Sequence, residues 1–172
     1  MSLPTPLPTL HADGLTIRAW ADSDVAAVRE AAADPYIPLV TSVPVPYTHA
    51  EGLAFVARQH DRAARGVGYS FAVADGRAVG QIGLWPARDG GAVIGYWVVR
   101  SARGRGVAGR ALAAVAGWGL DVLRLDLLTL RVEPWNEPSI RAATRVGFER
   151  SGSVSMEVGG VDREMWVYTL LP

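Results

Sequence analysis

The sequence predicts a mixed α+β domain built around a mostly antiparallel twisted sheet. Three observations carry that prediction. Residues 69–99 hold three apolar, β-branched or aromatic runs, Tyr69–Ala74, Val79–Trp85 and Ala92–Val99, joined by Asp75-Gly76-Arg77 and Arg88-Asp89-Gly90-Gly91. Short Gly/Asp turns between consecutive strands give an antiparallel meander. The third run enters a glycine- and arginine-rich turn and then a helical pattern of Leu112, Val115, Ala116, Leu120 and Leu123. Only about two strand–helix steps follow, too few to complete the parallel sheet of a dinucleotide-binding fold.

Taken in order, residues 1–13 read as an extended, proline-rich lead-in to a single domain spanning 1–172. Leu15-Thr16-Ile17-Arg18 alternates apolar and polar, the period of a strand. Asp22, Ser23 and Asp24 supply capping oxygens and negative charge ahead of a helix from Val25, which Asp34-Pro35 closes. Tyr36–Tyr47 carries Pro38, Pro44 and Pro46 and fits no regular element, yet its aromatic and aliphatic content predicts a packed segment. Thr48 caps a second helix, Ala50–Arg65, with Leu53, Val56 and Ala57 on its apolar face. These helices and the segment between them are expected to wall a substrate pocket.

The strand beginning at Ala92 contains Gly95, a signal for a bulge or a close approach. Beyond the third helix, Leu125–Val132 reads as a strand. Asn136 then caps a helix through Val146, with Pro138 in its first turn and Gly147 at its end. Phe148–Val158 and Arg163–Leu170 form a hairpin around Gly159-Gly160.

Bulk composition narrows the function. Hydrophobic residues make up 49% and charged residues 20% of 172 positions, as in an ordinary globular domain. Lys+Arg and Asp+Glu both number 17, so no broad basic field marks a nucleic-acid partner. With no cysteine there is no disulfide, thiolate metal site or cysteine nucleophile, which suits a cytoplasmic protein. No metal is expected. The first residues lack a signal-peptide pattern, and no apolar run approaches membrane-spanning length.

The chemistry concentrates at Arg103-Gly104-Arg105-Gly106-Val107-Ala108-Gly109-Arg110. A glycine-rich turn between a strand and a helix N-terminus makes an anion cradle. Unpaired backbone N–H groups point outward, the helix dipole favours negative charge, and glycine admits a phosphate close to the chain. Arg103 and Arg105 add charge-assisted donors. The expected ligand carries a pyrophosphate. Gly104–Gly109 satisfies the dinucleotide fingerprint, with Asp126 near its acidic position, so a dinucleotide-binding oxidoreductase is an alternative.

Arg103-Gly104-Arg105-Gly106-Val107-Ala108 also fits the Q/R-x-x-G-x-G/A pattern of coenzyme A-dependent acetyltransferases. Together with Asn136-Glu137-Pro138-Ser139, Arg145-Val146-Gly147-Phe148, Leu15–Trp20 and Ile94–Val98, it resembles the GCN5-related N-acetyltransferase (GNAT) superfamily, in its RimJ/RimL-like branch. The resemblance runs from about Leu15 to Leu170. It implies a sheet of six to seven strands with a parallel, splayed pair in the middle and about four helices.

The resemblance further implies acetyl-CoA as cofactor, its pantetheine arm lying between the parted strands on main chain at Trp97, Val98 and Val99. The diphosphate would rest on main chain across Arg105, Gly106, Val107, Ala108 and Gly109, with Arg103 and Gly104 beside it. Asn136 would contact the arm, and Ser139 would sit near the sulfur as proton donor to the departing thiolate. Val98 or Val99 would supply an oxyanion donor.

The implied reaction is direct acetyl transfer to the amine of a protein N-terminus or a small molecule; a non-catalytic coenzyme A-binding module is the rival. A homodimer is compatible with the sequence. His11, His49 and His60 show no partner pattern, and Glu133 is the candidate base, set against a solvent-facing strand end. The strand corresponding to Val93-Ile94 lacks the acidic residue that several branch members carry. Deprotonating a lysine-like amine at pH 7 costs about 4.6 kcal/mol, an α-amine only about 1. Without a dedicated base, an α-amine relayed through water is the easier nucleophile.

Overall fold

The computed structural model describes residues 6–87 and 90–172. The expected lead-in at residues 1–5 and Arg88-Asp89 of the second turn lie outside them. The described residues form one eight-stranded sheet in the order β1-β2-β3-β4-β5-β6-β8-β7. The strands are β1 (Leu10–Ala12), β2 (Leu15–Arg18), β3 (Tyr69–Asp75), β4 (Arg77–Pro86), β5 (Ala92–Val98), β6 (Leu128–Val132), β7 (Glu149–Val158) and β8 (Val161–Leu170). Five α-helices accompany them: α1 (Val25–Ala32), α2 (Ile37–Val40), α3 (His49–Ala64), α4 (Val107–Gly117) and α5 (Glu137–Val146). Every strand pair is antiparallel except β5–β6, which is parallel.

The mixed α+β class and the meander stand as expected, with one more strand and one more helix. Leu10–Ala12, inside the expected lead-in, pairs with Leu15–Ile17 because Asp13 and Gly14 take positive φ and turn the chain back tightly. In the proline-rich segment, Ile37–Val40 closes a single helical turn. The Asp34 carboxylate accepts from Tyr36 N at 2.8 Å and Ile37 N at 3.0 Å, and Pro38 sits where no N–H is needed.

Strands β3 and β4 are buried on both faces, so they carry near-continuous apolar runs. Alternation along β3 shows what covers each face. Tyr69 and Phe71 meet the Trp118 ring, at 5.1 and 5.7 Å between centroids, in the π-helical turn that ends α4. The intervening Ser70 donates to Gln59 of α3 at 2.8 Å. Helices α3 and α4 therefore lie on opposite faces. The inward stripe of α3 is Gly52, Phe55, Val56 and Gln59; Ala57, expected inward, is exposed.

No bulge occurs at Gly95. It pairs in register with Gly83, and the Trp85 ring lies over both glycines. A Cβ at Gly83 would stand 2.6 Å from that ring and 2.9 Å from the Tyr69 carbonyl, so the close approach comes chiefly from a side chain.

Asp24 anchors the start of α1. Its carboxylate takes both Arg18 guanidinium nitrogens, at 2.7 and 3.0 Å, and the Ala21 N–H at 2.9 Å. Burial alone would raise its pKa, but these bonds bring it below the ordinary carboxylate value. The stability it contributes is present above the unfolded value near pH 3.9 and is lost as pH falls through the lower folded value. We expect Asp24→Asn to lower stability by about 1–2 kcal/mol at pH 7. The gap from the unsubstituted protein should shrink by pH 3, as read by urea denaturation at both pH values.

Candidate functional site

The site is built where the sheet opens. β5 and β6 pair only at Ala92–Leu128 and Val93–Thr129. Beyond Val93 they diverge, as a parallel splayed pair should. Ala92 N donates to Leu127 O at 2.9 Å, and Val99 N to Val79 O at 2.9 Å. Because successive main-chain groups along a strand point to opposite sides, Ile94, Tyr96 and Val98 face the gap, whereas Trp97 and Val99 are turned toward β4. The three-residue main-chain ladder expected at Trp97, Val98 and Val99 is corrected accordingly. Val98 faces the opening; Val99 N–H is already taken and offers no oxyanion donor.

At the C-terminal end of β5, Gly104 and Gly106 take φ of +77° and +71°. An L side chain is strained there, so the turn requires glycine. Gly106 is the N-cap of α4 and makes no side-chain cap, and the first intrahelical bond is Arg110 N to Gly106 O at 3.1 Å. The N–H groups of Val107, Ala108 and Gly109 are thus the orphan donors of the first turn. No atom beyond the immediate chain lies within 4 Å of a Cβ built at Gly104, Gly106 or Gly109, so the approach is open. Arg110 braces the loop, donating to Asp13 O and to Arg105 O.

The flanking arginines are held by carboxylates. Arg103 pairs with buried Asp34 at 2.7 Å and donates from Nε to Val98 O at 3.0 Å. Arg105 pairs with Asp75 at 3.1 Å. Both remain about half exposed at the cradle, so neither cation is sequestered.

Across the gap, Asn136 caps α5 and its side chain accepts from Ser139 N at 3.3 Å, as the sequence predicts. Ser139 Oγ lies 2.6 Å from the phenol oxygen of Tyr96. This contact escapes sequence reading: 43 residues separate the partners. Burial pushes the Tyr96 phenol upward despite the opposing effect of Ser139, so it stays protonated at neutral pH.

Glu133 departs from expectation. It is 4% exposed, not a solvent-facing strand end. Tyr36 donates to Oε2 at 2.5 Å and Arg163 to Oε1 at 3.0 Å. Burial opposes the charged form, but these donors and the Arg163 charge bring its pKa below the ordinary value. A carboxylate engaged at both oxygens and lowered in pKa is a poor general base. Its signal is structural: it ties β6 to Tyr36 and to β8. His60 bonds Trp20 O at 2.6 Å, away from this site. Among the described residues no cluster of His, Asp or Glu could hold a metal.

Two cavities flank the opening. One, about 1260 Å³, is lined by the glycine turn, Val98 and Pro138. The other, about 550 Å³, is lined by Tyr96, Ser139, Asn136 and Glu133 and reaches Arg62 of α3. A dinucleotide reading does not fit this geometry. Asp126 lies beside Gly90, before β5, whereas the glycine turn follows β5. Seven residues of strand, about 20 Å, separate the two.

Comparison with known proteins agrees with the geometry. Residues 14–149 match the family model described as Acetyltransferase (GNAT) domain. A protein of Bacillus licheniformis named uncharacterized N-acetyltransferase p20 is 25% identical over 150 residues, 84% of each chain. RimJ of Mycobacterium smegmatis, solved with a CoA-disulfide, is 25% identical at a TM-score of 0.81, covering 95% of this chain and 86% of that one. RimL, described as a ribosomal alpha-N-protein acetyltransferase in complex with coenzyme A, gives a TM-score of 0.81 at 17% identity, covering 95% and 98%. No helix among the described residues is long and apolar enough to cross a membrane.

The bracing role of Glu133 is testable apart from catalysis. Glu133→Gln leaves Arg163, one-third exposed, without its counter-charge. Stability should fall by about 1–3 kcal/mol, less than for a fully buried pair. Chemical denaturation of the two proteins measures it.

Proposed function

The chain belongs to the acetyltransferase (GNAT) family, and on that premise we propose that it transfers an acetyl group from acetyl-CoA directly to an α-amine, that of a protein N-terminus or of a small molecule. The observation that carries this reading is the set of orphan N–H donors at Val107, Ala108 and Gly109, under two left-handed glycines, beside strands that have parted. Those residues would hold the diphosphate, and Arg103 and Arg105 would add charge from its rim. Acetyl-CoA supplies an acetyl group already activated as a thioester.

The remaining roles fall to this chain's own groups. Val98, facing the gap, would present its N–H to the carbonyl oxygen that gains charge. Ser139 Oγ and the Tyr96 phenol share a hydrogen bond that either can donate; with the phenol as donor, the serine proton would be free for the departing sulfur. A thiol of pKa near 8.5 leaves readily, so this donation is a modest aid. With Glu133 engaged at both oxygens, deprotonation of the acceptor falls to water, and a weakly basic α-amine suits such a site. Much of the rate then comes from alignment.

Calorimetry of acetyl-CoA binding and mass-detected transfer to amines test the reading. The chain contains no lysine, so no side-chain self-acetylation confuses the mass assay. Gly106→Glu should weaken acetyl-CoA binding by more than about 100-fold, by placing a carboxylate against the donors. Gly106→Ala should cost only the backbone strain, about 1–2 kcal/mol. Retained affinity in Gly106→Glu would overturn the cradle. Ser139→Ala should lower kcat about ten- to a hundredfold with KM for acetyl-CoA nearly unchanged.

A further inference from the structure

The smaller cavity is lined by a cation for which the fold supplies no counter-charge. Arg62 lines it from α3. Its Nη1 donates to Gln59 Oε1 at 2.8 Å and its Nη2 to Ser42 Oγ at 3.2 Å, and both partners are neutral. Among the described residues no carboxylate lies within ion-pair distance of Arg62 or of Arg58, one turn away, which donates to Ser42 O at 3.3 Å.

The guanidinium is nonetheless held in place. Gln59 is 1% exposed, donates to Phe55 O at 2.7 Å and accepts from Ser70 at 2.8 Å. A buried relay from β3 through Gln59 therefore aims a half-buried cation into the cavity, at an entropic cost that water-facing arginines avoid. Burial and the neighbouring Arg58 both disfavour its charge, and a bound anion would relieve both.

Two further polar atoms on residues of this wall are unmet but buried. Gln81 Oε1 and Trp97 Nε1, each on a residue only 5% exposed, have no hydrogen-bond partner. Gln81 and Trp97 are register partners on β4 and β5, on the face that α3 covers. Both atoms are themselves covered, so what this wall offers a ligand is the Arg62 cation, which is complementary to a negatively charged group. The other charges on the wall narrow it further. Glu133 is neutralised by Arg163, Arg131 is a second cation, and Glu157 disfavours a dianion.

Building on the acetyltransferase reading, we infer that the acceptor carries a carboxylate beside its α-amine, and that Arg62 is the residue that selects it. The carboxylate can belong to a free amino acid or to an acidic residue next to a peptide N-terminus. In both the guanidinium would donate to the carboxylate oxygens.

The test compares acceptors matched but for that charge; in the amino-acid arm amidation also makes the amine less basic, which works against the expected preference, and the peptide arm is free of that effect. One arm sets L-leucine, L-methionine and L-phenylalanine against their amides; the other sets two C-amidated pentapeptides differing by glutamate or glutamine at the second position. The charged member should be acetylated with at least tenfold higher kcat/KM in one arm, which also identifies the source. Arg62→Gln should bring that ratio close to one, chiefly through KM, with acetyl-CoA affinity unchanged; Arg62→Lys should restore part of it. Equal rates within every pair overturn the inference and leave the acetyltransferase reading standing. If acetyl-CoA binds but no acceptor is acetylated, the reaction reading falls. Calorimetry of the same pairs on the coenzyme A complex then decides the carboxylate by binding alone, equal affinities overturning it.

Discussion

Two residue pairs join β5 to β6, and the brevity of that ladder governs the molecule. A parallel pair buried in the middle of a sheet would ordinarily continue, since each unmet N–H or C=O in the interior costs about 1–3 kcal/mol. Here the chain ends the ladder and redistributes the groups. Val99 turns to Val79, and the Val98 carbonyl is met by Arg103 Nε. What remains facing the gap is main chain with capacity for another extended group. The opening is an unfinished sheet, and under the proposed function the extended arm of the cofactor would take the place of the missing strand.

Holding such an opening apart requires bracing, and a line of polar contacts provides it. Arg103 at the glycine turn grips Asp34, Asp34 caps Tyr36 and Ile37, Tyr36 donates to Glu133, and Glu133 takes Arg163 from β8. Burial makes each link hard to break singly, because removing one member strands a charge or a donor. The same line joins the cradle that would bind the cofactor to the wall of the acceptor cavity. Residues that looked separately like an anion ligand, a loop and a base are parts of one brace.

Local rules made much of this legible. Gly104 and Gly106 between a strand and a helix announced left-handed torsions, and Asn136 with Pro138 announced a capped first turn; both depend on neighbours a few residues away. The antiparallel meander followed from its turns. Features resting on distant partners were not legible. Glu133 meets Tyr36 and Arg163, 97 and 30 residues away, so its sequence neighbours suggested only a strand end. Tyr96 and Ser139 meet for the same reason, across a gap that exists only in the folded sheet. The turn at Ile37–Val40 had a local signal, Asp34 ahead of Pro38, but the surrounding prolines masked it.

The cradle's donors are amide hydrogens, which every residue but proline possesses. What the turn demands is therefore a pair of torsion angles and an uncovered helix start, while the side chains around it answer to their own tasks, as Arg105 answers to Asp75 and Arg110 to the β1–β2 turn. Function written in the backbone leaves the alphabet around it free to drift. A shared fold at 17% identity is what such a division of labour permits.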